Sequence, residues 1–206
     1  MPRPRRKPFW RWAPLPWVAL LLLMLVTGSL QDLGYAAVYV VGIVVTVLFA
    51  AGLVVGLIAA ARRRGANFTA EGRLLRLEGL EFTTAPRAGH PITVQDTRRH
   101  QFSIELALAR GAAPVSALLV PDCGNWWSLR ADVGVYLLTD GGFHFAGRLG
   151  DQAQVSWQGL LDGLRAAGRY AVVPAEVVNA SRPYAIDVRL EGLKGLEELR
   201  DLEVTA

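Results

Sequence analysis

Residues Ala36 to Ala61 form a run of 26 with no charged side chain, followed at once by Arg62, Arg63 and Arg64. As a helix, this run would be about 39 Å long, more than the hydrocarbon layer of a bilayer requires. The spacing predicts a tilted membrane-spanning helix over 36–61. A second apolar run, Trp17 to Leu30, precedes it. Reaching spanning length takes it back to Ala13 and includes Pro14 and Pro16, which a helix accepts in its first turn. The expectation is a two-helix transmembrane hairpin, with helices over 13–30 and 36–61. Its short connection, Gln31 to Tyr35, carries no basic residue.

Charge orients the hairpin. Residues 1–65 hold Arg3, Arg5, Arg6, Lys7, Arg11, Arg62, Arg63 and Arg64 against Asp32 alone, eight bases to one acid. The remaining 14 bases face 17 acids, a net of −3. The calculated isoelectric point near 9.6 therefore reflects the flanks of the apolar runs and not a basic domain. Basic flanks resist translocation, so both are expected on the cytoplasmic face, in contact with lipid headgroups, with both termini cytoplasmic. Residues 1–12 read as a basic and aromatic flank, where Trp10 and Trp12, with Trp17 beyond, suit the interfacial belt. The alternative is a cleaved signal peptide over 1–29, which lacks an Ala-x-Ala site and leaves residues 66–206 cytoplasmic all the same. A net-acidic domain argues against nucleic acid as a partner. Arginine-rich, Ala/Gly/Leu-rich usage suggests a GC-rich, bacterial genome, and hence an inner-membrane location.

On the second apolar helix, Gly42, Thr46, Gly52, Gly56 and Ala60 fall along one stripe, and Gly52-x-x-x-Gly56 permits close approach of another helix. That partner is the first apolar helix, a second copy, or another membrane protein. Neither run contains a charged residue of the kind ion pathways use, which argues against a transporter acting alone.

From Phe68 onward the pattern changes to short alternating segments separated by Gly and Pro. Strands are predicted at 73–77, 80–84, 92–95, 102–108, 115–120, 133–138 and 143–148, the clearest being Phe102-Ser-Ile-Glu-Leu-Ala-Leu108. Thr139-Asp-Gly-Gly142 reads as a hairpin turn. An amphipathic helix follows over 155–170, capped by Asp151 or Ser156. Two strands, 171–173 and 184–190, and a short helix over 193–204 complete residues 66–206. The fold class is α+β: a transmembrane hairpin, then a mainly antiparallel β domain with one packed helix. Seven strands followed by a helix is similar to the order in pleckstrin-homology-like barrels, an analogy of element order with no matched motif behind it.

Candidates for chemistry are few. Cys123 is the sole cysteine, and the histidines are His90, His100 and His144. No spacing pairs the thiol with a histidine as nucleophile and base, and no Cys/His cluster prefigures a metal site. Asp140 and Asp151 suit a turn and a helix start better than acid/base work. No phosphate-binding loop is present, and no cofactor is expected. The glycosylation triplets Asn67-Phe-Thr69 and Asn179-Ala-Ser181 are irrelevant on the cytoplasmic side. Trp126 and Trp127, adjacent in a Gly/Asn loop, cannot share one core if extended, so one is a candidate for partner contact. Arg98-Arg99-His100 reads as a solvated turn, with contact to anionic lipid as the alternative.

These observations point to a non-catalytic membrane protein whose β-rich domain binds or organises a partner at the inner membrane. The alternatives are a tethered enzyme using Cys123, or a small subunit of a transport or assembly complex.

Overall fold

In a computed structural model of the protein, the two apolar segments form helices α1 (Leu15–Asp32) and α2 (Ala36–Arg64). The structure describes residues 12, 14–32, 36–64, 67–69, 72–110, 115–124, 130–140 and 142–195. Among the described residues, only α2 is long and apolar enough to cross a membrane, over Ala36–Ala59; the apolar part of α1, Leu15–Leu30, is shorter. None of that window of α2 is buried. The two helices pack where Gly42 lets Thr27 approach: a Cβ on Gly42 would lie 3.1 Å from the Thr27 methyl. Thr46 donates back to the Gly42 carbonyl (2.8 Å), and its hydroxyl lies 3.2 Å from that of Thr27.

The rest of the chain is α+β. Strands β1 (Glu81–Thr84) and β2 (Pro91–Thr93) precede a 3-10 turn (Thr97–His100) that runs into α3 (Gln101–Arg110). Next come β3 (Ser116–Val120), β4 (Gly134–Thr139), β5 (Gly142–Arg148), α4 (Asp151–Ala166), β6 (Arg169–Val177), β7 (Ile186–Arg189) and a 3-10 turn at Glu191–Leu193. The strands form one curled half-barrel in the order β2-β7-β6-β3-β4-β5, with every neighbouring pair antiparallel. The exception is β1, which lies parallel to β6 over Arg169–Val172. β7 takes the same edge of β6 over Ala175–Val177. Pro174 falls between these two edge partners, where its missing N–H breaks no ladder, so β6 continues through a residue that usually ends a strand.

The curl nearly closes on itself. Val94 N–H bonds to the Ile186 carbonyl (2.8 Å), and Gln95 and Arg148 then exchange two backbone hydrogen bonds of 2.8 and 3.0 Å. That bridge ties the strand leaving β2 to the end of β5. Gly147 permits it, since a Cβ there would meet the Gln95 carbonyl oxygen at 2.2 Å. A bulge at Ala146, opposite Val135 and Tyr136, adds the bend.

Alternation along the central strands makes two cores. Ala117 and Leu119 of β3, Val135 and Leu137 of β4, and Ala171 and Val173 of β6 face the larger one, against Ile104 of α3 and Leu160, Leu161 and Leu164 of α4. Leu118, Val120, Tyr136, Tyr170 and Val172 point the other way into a second core. That core is covered by the segment leading out of α2, through Phe68, Leu74, Leu77 and Leu80. Both faces are therefore buried, which is why these strands read as nearly continuous apolar runs.

Three expectations need correction. Residues 102–108 are helical: Ile104 and Ala107 face inward at helical spacing, while Phe102 is 73% exposed. Ala, Leu, Glu and Arg are strong helix formers, and they prevail over a chance alternation. Residues 73–77 form no strand beyond a single bridge between Leu74 and Phe68. The helix at 155–170 begins earlier, after Gly150, with no side-chain cap: Asp151 pairs with Arg130, and Ser156 donates to the Gln152 carbonyl. With α3 and α4 each placed between strands, the succession differs from the seven-strands-then-helix order of pleckstrin-homology-like domains. The predicted helix at 193–204 falls mostly outside the described residues.

Candidate functional site

Two groupings of ionisable side chains lie against the sheet, apart from surface pairs such as Arg87–Glu176–Arg189. The first lies beside the Gln95–Arg148 bridge. Asp132 enters it from the loop before β4, with a side chain only 4% exposed, and accepts a hydrogen bond from Arg148 Nη1 at 2.6 Å. Arg148 also binds Asp96 through Nε (2.9 Å) and Nη2. Asp96 adopts a left-handed backbone (φ 64°) directly after the bridge. Arg130 reaches Asp132 at 3.5 Å and pairs with Asp151 at the start of α4. Burial works against the Arg148 charge, but hydrogen bonds and charge from Asp132 and Asp96 outweigh it and raise its pKa. Such a cluster locks β5, the 130s loop and α4 together. Its donors and acceptors are spent on one another, which leaves little for a substrate.

The second place is the smaller core. Cys123 is buried there, with its Sγ 3.6 Å from Tyr136 Oη. A Cβ on Gly134 would lie 2.8 Å from that sulfur, so the thiol fills space that the glycine vacates. Tyr136 Oη accepts the Leu74 N–H at 3.1 Å, tying the segment after α2 to the centre of the sheet. Burial is the main force pushing the Tyr136 pKa far upward, and Cys123 adds to it, so the phenol stays protonated. Phe145 packs edge-on to Tyr136 at 5.0 Å, and His100 edge-on to Phe145 at 4.7 Å. The His100 pKa is lowered, first by burial; Arg73, Arg148 and Arg99 lower it further, against the pull of Asp96. His144, on β5, is also lowered, by burial and then Arg110. His90 is exposed and lies 3.5 Å from Glu191. Among the described residues, no three His, Cys, Asp or Glu side chains group as metal ligands.

Around His100 the surface turns basic. Arg98 and Arg99 of the 3-10 turn and Phe102 of α3 are exposed on the outward side, opposite the buried Thr97 and Ile104. Gln101 pins this corner by donating to the Thr97 and Tyr184 carbonyls and accepting from the Tyr184 N–H. Arg73 lies near enough to press on the His100 charge.

The residues predicted from sequence distribute unevenly over this geometry. Gly42 and Thr46 meet α1, whereas a Cβ on Gly52 or Gly56 would touch nothing within 4 Å. Trp126, Trp127, Arg3, Arg5, Arg6, Lys7 and Arg11 lie outside the described residues, as do the side chains of Ala60 and Arg62–Arg64. Asp132 and Arg148 were not anticipated. The available signal was one acid inside the otherwise uncharged run 131–138. No family model, curated protein or solved structure matches the chain.

Proposed function

We propose that the protein is a membrane-anchored, non-catalytic scaffold whose β-rich domain holds a partner at the cytoplasmic face of the inner membrane. The observation carrying this reading is the continuity of anchor and domain. An unburied apolar helix ends at Arg64, and from Phe68 the same chain covers one face of the sheet. Three peptide steps separate Arg64 from Asn67, a span of about 11 Å at most. A domain tethered this closely cannot range far from the bilayer. Basic flanks on both sides of the apolar helices favour a hairpin with both termini cytoplasmic.

A non-catalytic role fits the chemistry of the domain. The most buried carboxylate among the described residues is occupied by Arg148, and the one thiol is packed beneath Gly134 and Tyr136. The unfilled surface at Gly52 and Gly56 favours a second reading, in which α2 docks another membrane helix or a second copy. Co-purification from detergent-solubilised membranes separates the two. If the domain recruits the partner, Gly56→Leu leaves the complex intact; if α2 docks it, the same change abolishes the complex. Absence of any partner co-purifying with the unaltered chain, combined with turnover that depends on Cys123, would remove both readings in favour of an enzyme.

A further inference from the structure

We infer that the outward face of the 97–102 corner, with Arg98, Arg99 and Phe102 supported by Arg73, docks the domain onto the anionic surface of the bilayer that holds α2. This rests on the membrane-anchored reading above and adds to it a defined surface and ligand class.

Several observations converge on that corner. Phe102 is the most exposed large apolar side chain among the described residues, ahead of every residue on the two apolar helices. It stands between Arg98 and Arg99 on one helical face, one turn from each. Neither arginine, nor Arg73, has an ion-pair partner among the described residues. The nearby acids are already engaged, Asp96 by Arg148 and Glu105 by Arg182. The domain is thus net acidic overall yet leaves unneutralised cations together here. An aromatic ring flanked by guanidinium groups suits a headgroup layer, with the ring at the acyl boundary and the cations on phosphates.

The tether makes the contact reachable. Thr69 Oγ1 accepts the Arg73 N–H at 3.1 Å, and Thr69 N–H donates to the Arg73 carbonyl at 2.8 Å. Arg73 is therefore held beside the residues that emerge from α2, and its charge acts on His100. Arg73 thus brings one cation of this group onto the stretch of chain that directly follows α2. The Gln101–Tyr184 hydrogen bonds present the corner as a fixed surface, so docking needs no refolding.

The test uses the full chain with p-benzoylphenylalanine at position 102, reconstituted into vesicles of phosphatidylcholine alone or mixed with phosphatidylglycerol. After irradiation, lipid adducts at that position are counted by mass spectrometry. Each basic residue near an anionic leaflet shifts occupancy by roughly fivefold. Adducts should form in the anionic vesicles and fall by roughly tenfold or more with Arg98→Glu and Arg99→Glu together. Both arginines are exposed and unpaired, so an unchanged thermal transition would show that the variant is folded. Equal adduct yields in the two lipids, or no response to charge reversal, would overturn the docking while leaving the anchor standing. A chain washed from the vesicles by alkaline carbonate would overturn the anchor, and the docking with it.

Discussion

Replacing Tyr136 by Phe removes one oxygen from the smaller core and tests how firmly the segment after α2 is joined to the sheet. Tyr136 and Leu74 are both buried, and Tyr136 Oη accepts the Leu74 N–H at 3.1 Å. Phe keeps the ring, and with it the edge contacts to Phe143 and Phe145. It leaves the Leu74 N–H with no acceptor away from water. An orphaned buried donor costs about 1–3 kcal/mol. The Leu74 bond crosses from segment to sheet, so the cost should fall on local opening of residues 67–80 and less on the sheet itself. In native-state amide exchange, the Leu74 amide should speed up roughly 5- to 150-fold. Leu119, in the middle of β3, should change far less. Unchanged exchange at Leu74 would refute the reasoning. So would equal acceleration at Leu119, which would mean that the segment and sheet open only as one unit.

Two further outcomes follow from the charged groups. Asp132→Ala strips Arg148 of its most buried partner and should destabilise the domain by about 2–3 kcal/mol, since Arg148 is partly exposed and retains Asp96. Arg182→Ala, which breaks an exposed pair with Glu105, should cost less than about 1 kcal/mol. Urea unfolding of both variants checks the contrast, and equal effects would contradict it. His100 has a folded pKa below its ordinary 6.5, so the unfolded chain binds its proton more readily. Its contribution to stability is present above pH 6.5 and is lost as pH falls through the folded value. His100→Gln should therefore flatten the fall in thermal stability on mild acidification, and an identical pH profile would refute the assignment.

How much of this was legible in the sequence depended on the range of the forces involved. α2 was readable because an uncharged run beside three arginines is a local pattern. β4 and β5 were readable because the Asp140–Gly142 turn lies between apolar runs. Residues 102–108 misled because Phe102, Ile104, Leu106 and Leu108 alternate, although Phe102 ends up on the surface. Only the pairing of α3 with the larger core exposes this. The role of residues 67–80 as cover for the second face was hidden because their partners, Tyr136 and Tyr170, lie far along the chain. The Asp96–Arg148–Asp132 cluster arises from the closing of the sheet at Gln95, and no spacing announces a contact across 52 residues. The basic corner was visible as Arg98-Arg99, but Phe102 joined it only once that segment proved helical.

An apolar helix held in the bilayer, with the β domain on the cytoplasmic side, is the central proposal and can be tested directly. Protease added outside intact cells, followed by detection of a C-terminal tag, measures this directly. The tag should survive in intact cells and disappear when the cells are opened. Loss of the tag in intact cells, or its recovery in a carbonate-soluble fraction, would contradict the central claim.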